Sequence, residues 1–130
     1  MRKPPLILLA DDDINLVRLI QEALQKRGYE VVAVFDGLQA VHKAVELKPD
    51  LIITDLQMPA ASGSTVYHRL QHSSETFSIP VIFMTAVKPE EARKKVPKMD
   101  RVRLLFKPVT IDKLEHSIHD LLGMEGEELT

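Results

Sequence analysis

Along the chain, short runs rich in apolar and β-branched residues alternate with longer segments in which apolar residues recur every three or four positions. The short runs, read as strands, are Leu6 to Ala10, Glu30 to Phe35, Leu51 to Thr54, Pro80 to Met84 and Val102 to Phe106. Between them, Ile14, Val17, Ile20 and Leu24 form one stripe at helical spacing, and Leu38, Val41, Ala44 and Val45 form another. Further helices are expected from about Gly63 to Gln71, Pro89 to Val96 and Ile111 to Leu122. Local chemistry agrees with these limits. Gly28 stands where the first helix wants a left-handed cap, and Asp36 with Gly37 supplies a turn and a capping side chain for the second. Pro97 should end the fourth helix early, because it offers no N–H and restricts the residue before it.

Parallel strands need crossover connections, and alternating strands and helices supply them. The pattern therefore predicts an α/β fold, a doubly wound five-stranded parallel sheet with helices on both faces. Functional crevices in such folds lie beyond the carboxyl ends of the strands, where strand order reverses. The residues there are Asp11 and Asp12 after the first strand, Asp55 after the third, Thr85 after the fourth and Lys107 after the fifth.

Composition narrows the picture further. A length of 130 residues suits one domain, and 45% hydrophobic with 28% charged residues argues against disorder or a fibrous architecture. The net charge of -2 selects no class of partner. No cysteine is present, which removes disulfide scaffolds, thiol catalysis and thiolate metal sites and fits a reducing compartment. The opening "MRKPPLILLA" is too short in apolar residues for a signal sequence or a membrane span, so a cytoplasmic location is expected.

The stretch "LILLADDDIN" sets three aspartates at the end of a buried strand. Carboxylates crowded together repel unless a cation sits among them, and hard oxygen ligands suit magnesium. Either Asp13 or Asp11 could cap the first helix, but a cap uses one oxygen and does not account for all three. His68 and His72, four apart on the third helix, have no evident third ligand and read as surface histidines, as do His42, His116 and His119. The methionines read mostly as core filler.

With "ADDD" after the first strand, "DLIITDLQMP" around the third, "MTA" after the fourth and "FKP" after the fifth, the chain resembles a response-regulator receiver domain over residues 6–123. The resemblance implies a flavodoxin-like strand order 2-1-3-4-5. It also implies a phosphorelay function, with Asp55 as phosphoacceptor in a magnesium-dependent reaction and a histidine kinase or phosphotransfer protein as donor. Asp12 would bind Mg2+ directly, Asp11 through water, and the Gln57 backbone carbonyl and Asp55 would complete the protein ligands. Thr85 and Lys107 would hold phosphoryl oxygens. The domain would then be a signalling switch that catalyses its own phosphorylation and dephosphorylation, spanning residues 1–123 and followed by a short acidic tail at 124–130. By family habit the Lys107–Pro108 bond should be cis.

Two other readings compete. A haloacid-dehalogenase-like phosphatase would use Asp11 as nucleophile, with Asp11 and Asp13 imitating its DxD motif; it also needs a late acidic pair, and only one helix is expected after Lys107. A docking module without phosphorylation would have no use for all five central residues.

The chain also departs from the family. Three residues before Lys107 the family usually places an aromatic switch residue, and here stands Leu104; Phe106 shares its face but lies two residues on, so it does not fill the same place. The segment "ARKKVPKMDRVR" lacks the customary Gly-Ala, and "MPAASG" carries less usual residues at Ala61 and Ser62. Val87, two past Thr85, has no polar atom to orient water, which predicts a long-lived phosphoryl group, partly offset by Gln57. From Lys88 to Lys107 eight Lys or Arg face three acids, and from Pro108 to Thr130 one Lys faces six acids. This separation suggests a homodimer through the fourth helix, fifth strand and fifth helix. No motif supports direct nucleic-acid binding.

Overall fold

A computed structural model describes residues 1–123, so the acidic tail expected at 124–130 lies outside the described residues. The elements follow the alternation: β1 (Leu6–Ala10), α1 (Ile14–Lys26), β2 (Glu30–Val34), α2 (Gly37–Leu47), β3 (Leu51–Asp55), α3 (Gly63–Gln71), β4 (Val81–Thr85), α4 (Pro89–Lys95), β5 (Val102–Phe106) and α5 (Ile111–Leu122). All adjacent strands pair in parallel, in the order β2-β1-β3-β4-β5.

Alternate side chains of each strand serve two separate cores. Leu8, Ala10, Ile52 and Phe83 pack under α2, α3 and α4 through Ala40, Ala44, Val66, Leu70 and Ala92. Ile7, Leu9, Ile53 and Met84 pack under α1 and α5 through Val17, Ile20, Leu24, Leu114 and Ile118. With β1 and β3 buried along their whole lengths, their uninterrupted apolar runs are what a sheet covered on both faces requires.

Small shifts at strand ends have local causes. β3 and β4 each run one residue further than the sequence pattern suggests, because Asp55 pairs with Met84 and Thr85 with Phe106. β4 starts at Val81 rather than Pro80, which has no N–H for the ladder. β2 stops at Val34, since Phe35 leads into Asp36, whose side chain accepts from the Gln39 N–H at 2.8 Å and caps α2. The helix α4 ends at Lys95; Val96, held extended before Pro97, is its C-cap. Gly28, with φ +96°, turns the chain from α1 into β2.

One histidine does not fit the surface reading. His119 is 8% exposed, its Nε2 3.4 Å from Glu115 Oε2 and its ring 6.3 Å from that of Tyr29, because α5 turns this position onto the end of α1. His42, His68, His72 and His116 are exposed. Met99 is likewise no core filler: it is 46% exposed, and its Sδ accepts from the Tyr67 hydroxyl at 3.2 Å.

The start of α3 is packed directly against the end of β3. Gly63 donates its N–H to the Leu56 carbonyl at 3.0 Å, and a Cβ added to Gly63 would collide with the backbone carbonyl of Asp55. Gly63→Ala is therefore expected to destabilise the fold by about 1–3 kcal/mol, the usual range for overpacking. Denaturant unfolding of the two chains checks this, and equal midpoints would refute the close approach.

Candidate active site

Strand order reverses between β1 and β3, and the crevice opens beyond the carboxyl ends of those strands. Asp11 follows β1 and is fully buried. Its Oδ1 accepts the Asp13 N–H at 3.0 Å, while Oδ2 lies 2.8 Å from Lys107 Nζ but off a good hydrogen-bonding direction, with no other partner. Asp12 is exposed at the mouth of the crevice. Asp13 is the helix cap, accepting the Leu16 N–H at 3.1 Å.

Asp55 is the last residue of β3 and is 6% exposed. Its Oδ1 accepts from the Gln57 N–H at 3.1 Å and its Oδ2 from Lys107 Nζ at 2.9 Å. Burial raises the Asp55 pKa, and Lys107 and the Gln57 N–H only partly oppose that rise. Burial also acts to lower the Lys107 pKa, but contacts with Asp11 and Asp55 outweigh it and leave the ammonium firmly charged. Lys107 is held in place through its backbone, whose N–H donates to the Thr85 carbonyl at 2.8 Å, and the Lys107–Pro108 bond is cis.

Thr85 closes the other side. It is fully buried at the end of β4, and its Oγ1 accepts the Val87 N–H at 3.0 Å. That bond occupies an oxygen lone pair and leaves the hydroxyl hydrogen free to point elsewhere.

Carboxylate oxygens of Asp11, Asp12 and Asp55 lie within 4.8 Å of one another. Three carboxylates and one ammonium leave a charge of -2 when all are ionised, which a divalent cation would balance. The donor set is all oxygen, and the buried Asp11 Oδ2 lacks a well-directed partner. These features fit magnesium. Gln57 stands at the rim, its backbone N–H donating to Asp55 Oδ1. The structure thus brings together the side chains of Asp11, Asp12, Asp55 and Lys107, with Thr85 on the adjoining strand.

The loop leaving Asp55 explains the unusual "PAAS". Ala60 adopts φ +69°, a left-handed conformation that costs a non-glycine residue about 1–2 kcal/mol. Ala61 packs on Gly37, and Ser62 caps α3 by accepting the Thr65 N–H at 3.3 Å.

Sequence reasoning overlooked Arg93, whose guanidinium lies 5.6 Å from the centre of the Phe106 ring. The available signal was the cation one helical turn from the start of α4 and an aromatic residue on the facing strand.

The fold is that of a flavodoxin-like α/β protein, and its switch-point crevice gathers three carboxylates that could hold a metal ion. A family model described as response regulator receiver domain matches residues 7–119, and the chain belongs to that family, which serves two-component signalling. The polar-differentiation response regulator DivK of Brucella anthropi is 28% identical, over 92% of this chain and 98% of its own length. Hybrid signal transduction histidine kinase D of Dictyostelium discoideum is 31% identical over 93% of this chain. The chain spans only 8% of that kinase and 34% of the transcriptional regulator RpaA of Synechocystis. Among solved structures, chemotaxis response regulator CheY4 of Vibrio cholerae superposes with a TM-score of 0.83 at 26% identity, over 91% of this chain and 98% of that one. Among the described residues, no helix is long and apolar enough to cross a membrane.

Proposed function

We propose that Asp55 accepts a phosphoryl group from a histidine kinase or phosphotransfer protein in a magnesium-dependent reaction, and that its modification switches partner binding. The observation that carries this reading is the Lys107 ammonium set between Asp11 and Asp55, at 2.8 and 2.9 Å. A carboxylate oxygen of Asp55 attacks phosphorus; the new O–P bond forms as the donor's N–P bond breaks, and the electron pair departs with the imidazole nitrogen. Lys107 is placed to follow the negative charge onto the phosphoryl oxygens, and Thr85 can direct its hydroxyl hydrogen to one of them. Asp11, Asp12, Asp55 and the Gln57 carbonyl would hold Mg2+, which when bound neutralises charge on the transferred group. The chain's own contribution is positioning. The test is phosphoryl uptake trapped at Asp55.

The phosphatase alternative loses its support. Asp13 is committed to capping α1, and among the described residues only α5 follows β5 and its loop.

Release should be slow. Val87 contributes only a backbone N–H toward Thr85 and no polar side-chain atom for an attacking water. Val87→Asn is expected to shorten the lifetime of the phosphorylated form several-fold, read by intact mass over time. Rapid decay of the parent chain, unchanged in Val87→Asn and in Gln57→Ala, would remove the argument.

Partner contact is best supported at α4 and β5. Phe106, paired in register with Thr85 and facing the same side of the sheet, carries Arg93 of α4 above its ring. A change at Thr85 therefore has a short route to α4, independent of the missing aromatic at Leu104. Beside it, Arg93, Val96, Pro97, Met99 and Leu104 line a groove of about 460 Å³. The charge match expected between two copies is weakened, because Asp112 and Glu115 already pair with Arg27 and Asp120 with Arg103 of the same chain. Homodimerisation would have to use the groove and the cations of α4 instead.

A further inference from the structure

We infer that His68 and His72 form a second metal site, for a borderline divalent cation such as Zn2+ or Cu2+, on the last turn of α3. Spacing of four residues puts the two imidazoles on one face of the helix, and their ring centres lie 4.3 Å apart. The structure adds what spacing alone does not supply. Nδ1 of His72 lies 2.8 Å from the backbone carbonyl of His68. A carbonyl oxygen has no proton to give, so this contact is Nδ1–H donating, and the neutral ring must carry its lone pair on Nε2. Metal-ligating histidines are held in the same way, with the non-ligating ring nitrogen donating to an oxygen.

The surroundings favour a cation. His72 is the C-cap of α3, where the final carbonyls and the helix dipole present partial negative charge. Arg69, the nearest cation in sequence, is turned toward α2, where it lines a groove with Leu38, Val41 and Val45. Both histidines are exposed, so an ion reaches them without opening the fold, and water would fill the coordination positions that the two imidazole nitrogens leave. Imidazole nitrogen prefers zinc and copper over magnesium, so this site and the acidic crevice would select different ions. The inference is independent of the role proposed for Asp55.

The experiment uses the chain carrying Asp12→Asn and Asp55→Asn, which removes the crevice as a competing site. Zinc titration followed by NMR should shift the imidazole signals of His68 and His72 together, with those of His42, His116 and His119 unmoved. Copper added at one equivalent should give an electron paramagnetic resonance spectrum with two imidazole nitrogens. His68→Gln or His72→Gln should each weaken zinc binding by about tenfold or more. Zinc binding of undiminished strength in that chain when His68→Gln and His72→Gln are both added, a copper spectrum with a single nitrogen, or no shift at millimolar zinc would each overturn the assignment. So would a His72→Gln chain that is less stable than its parent while the parent itself binds no zinc, since that identifies the contact as a helix cap alone.

Discussion

Incubated with magnesium and acetyl phosphate, the chain is expected to take up one phosphoryl group, and Asp55→Asn is expected to take up none. The loss should be complete, because the amide oxygen that replaces the carboxylate is a far weaker nucleophile and no other described carboxylate occupies an equivalent place. Asp11 is fully buried with one oxygen bound to the Asp13 N–H, and Asp12 is exposed without the lysine that Asp55 has at 2.9 Å. Lys107→Ala should instead slow uptake strongly without moving the site of modification. Borohydride trapping followed by peptide mass analysis reads the position directly. Label on Asp11 would revive the phosphatase reading, and uptake undiminished in Asp55→Asn would sink the phosphoacceptor assignment.

Much of this site was legible in the sequence because its parts sit where a repetitive fold must put them. A parallel sheet aligns its strand ends, so five short apolar runs were enough to bring Asp11, Asp55, Thr85 and Lys107 to one edge. What remained hidden depended on side-chain direction. The sequence leaves open whether Asp13 or Asp11 caps the first helix, since either carboxylate after the strand suits that place; only the Leu16 N–H at 3.1 Å from Asp13 decides it. His119 reads as a surface residue from its type alone, yet the contact of α5 with the end of α1 buries it. The acids of α5 looked available to a second copy because a sequence does not reveal that Arg27 reaches Glu115 across 88 positions. The placement of the Arg93 guanidinium over the Phe106 ring is a contact of the same non-local kind.

Magnesium should stabilise the folded chain by an amount that depends on Asp12. An ion that binds only the native state raises stability by RT ln(1 + [L]/Kd), about 2.7 kcal/mol at one hundred times Kd. The unfolded chain has no such site, because it holds no fixed arrangement of Asp11, Asp12 and Asp55. Asp12 is exposed and Asp11 is buried, so the two substitutions are not equivalent tests. Removing Asp11 disturbs the lysine contact and the turn into α1, whereas Asp12→Ala deletes a ligand and little else. Without magnesium, Asp12→Ala should melt at or slightly above the parent chain, since one member of a repelling cluster has gone. With magnesium, the parent should rise by several degrees and Asp12→Ala should stay nearly flat. Lys107→Met provides the opposite control: losing the only ammonium in the cluster leaves two buried carboxylates unpaired, which lowers the melting temperature in metal-free buffer and enlarges the rise with magnesium. A rise in the parent that persists undiminished in Asp12→Ala would show that magnesium acts elsewhere on the molecule and would remove the metal assignment.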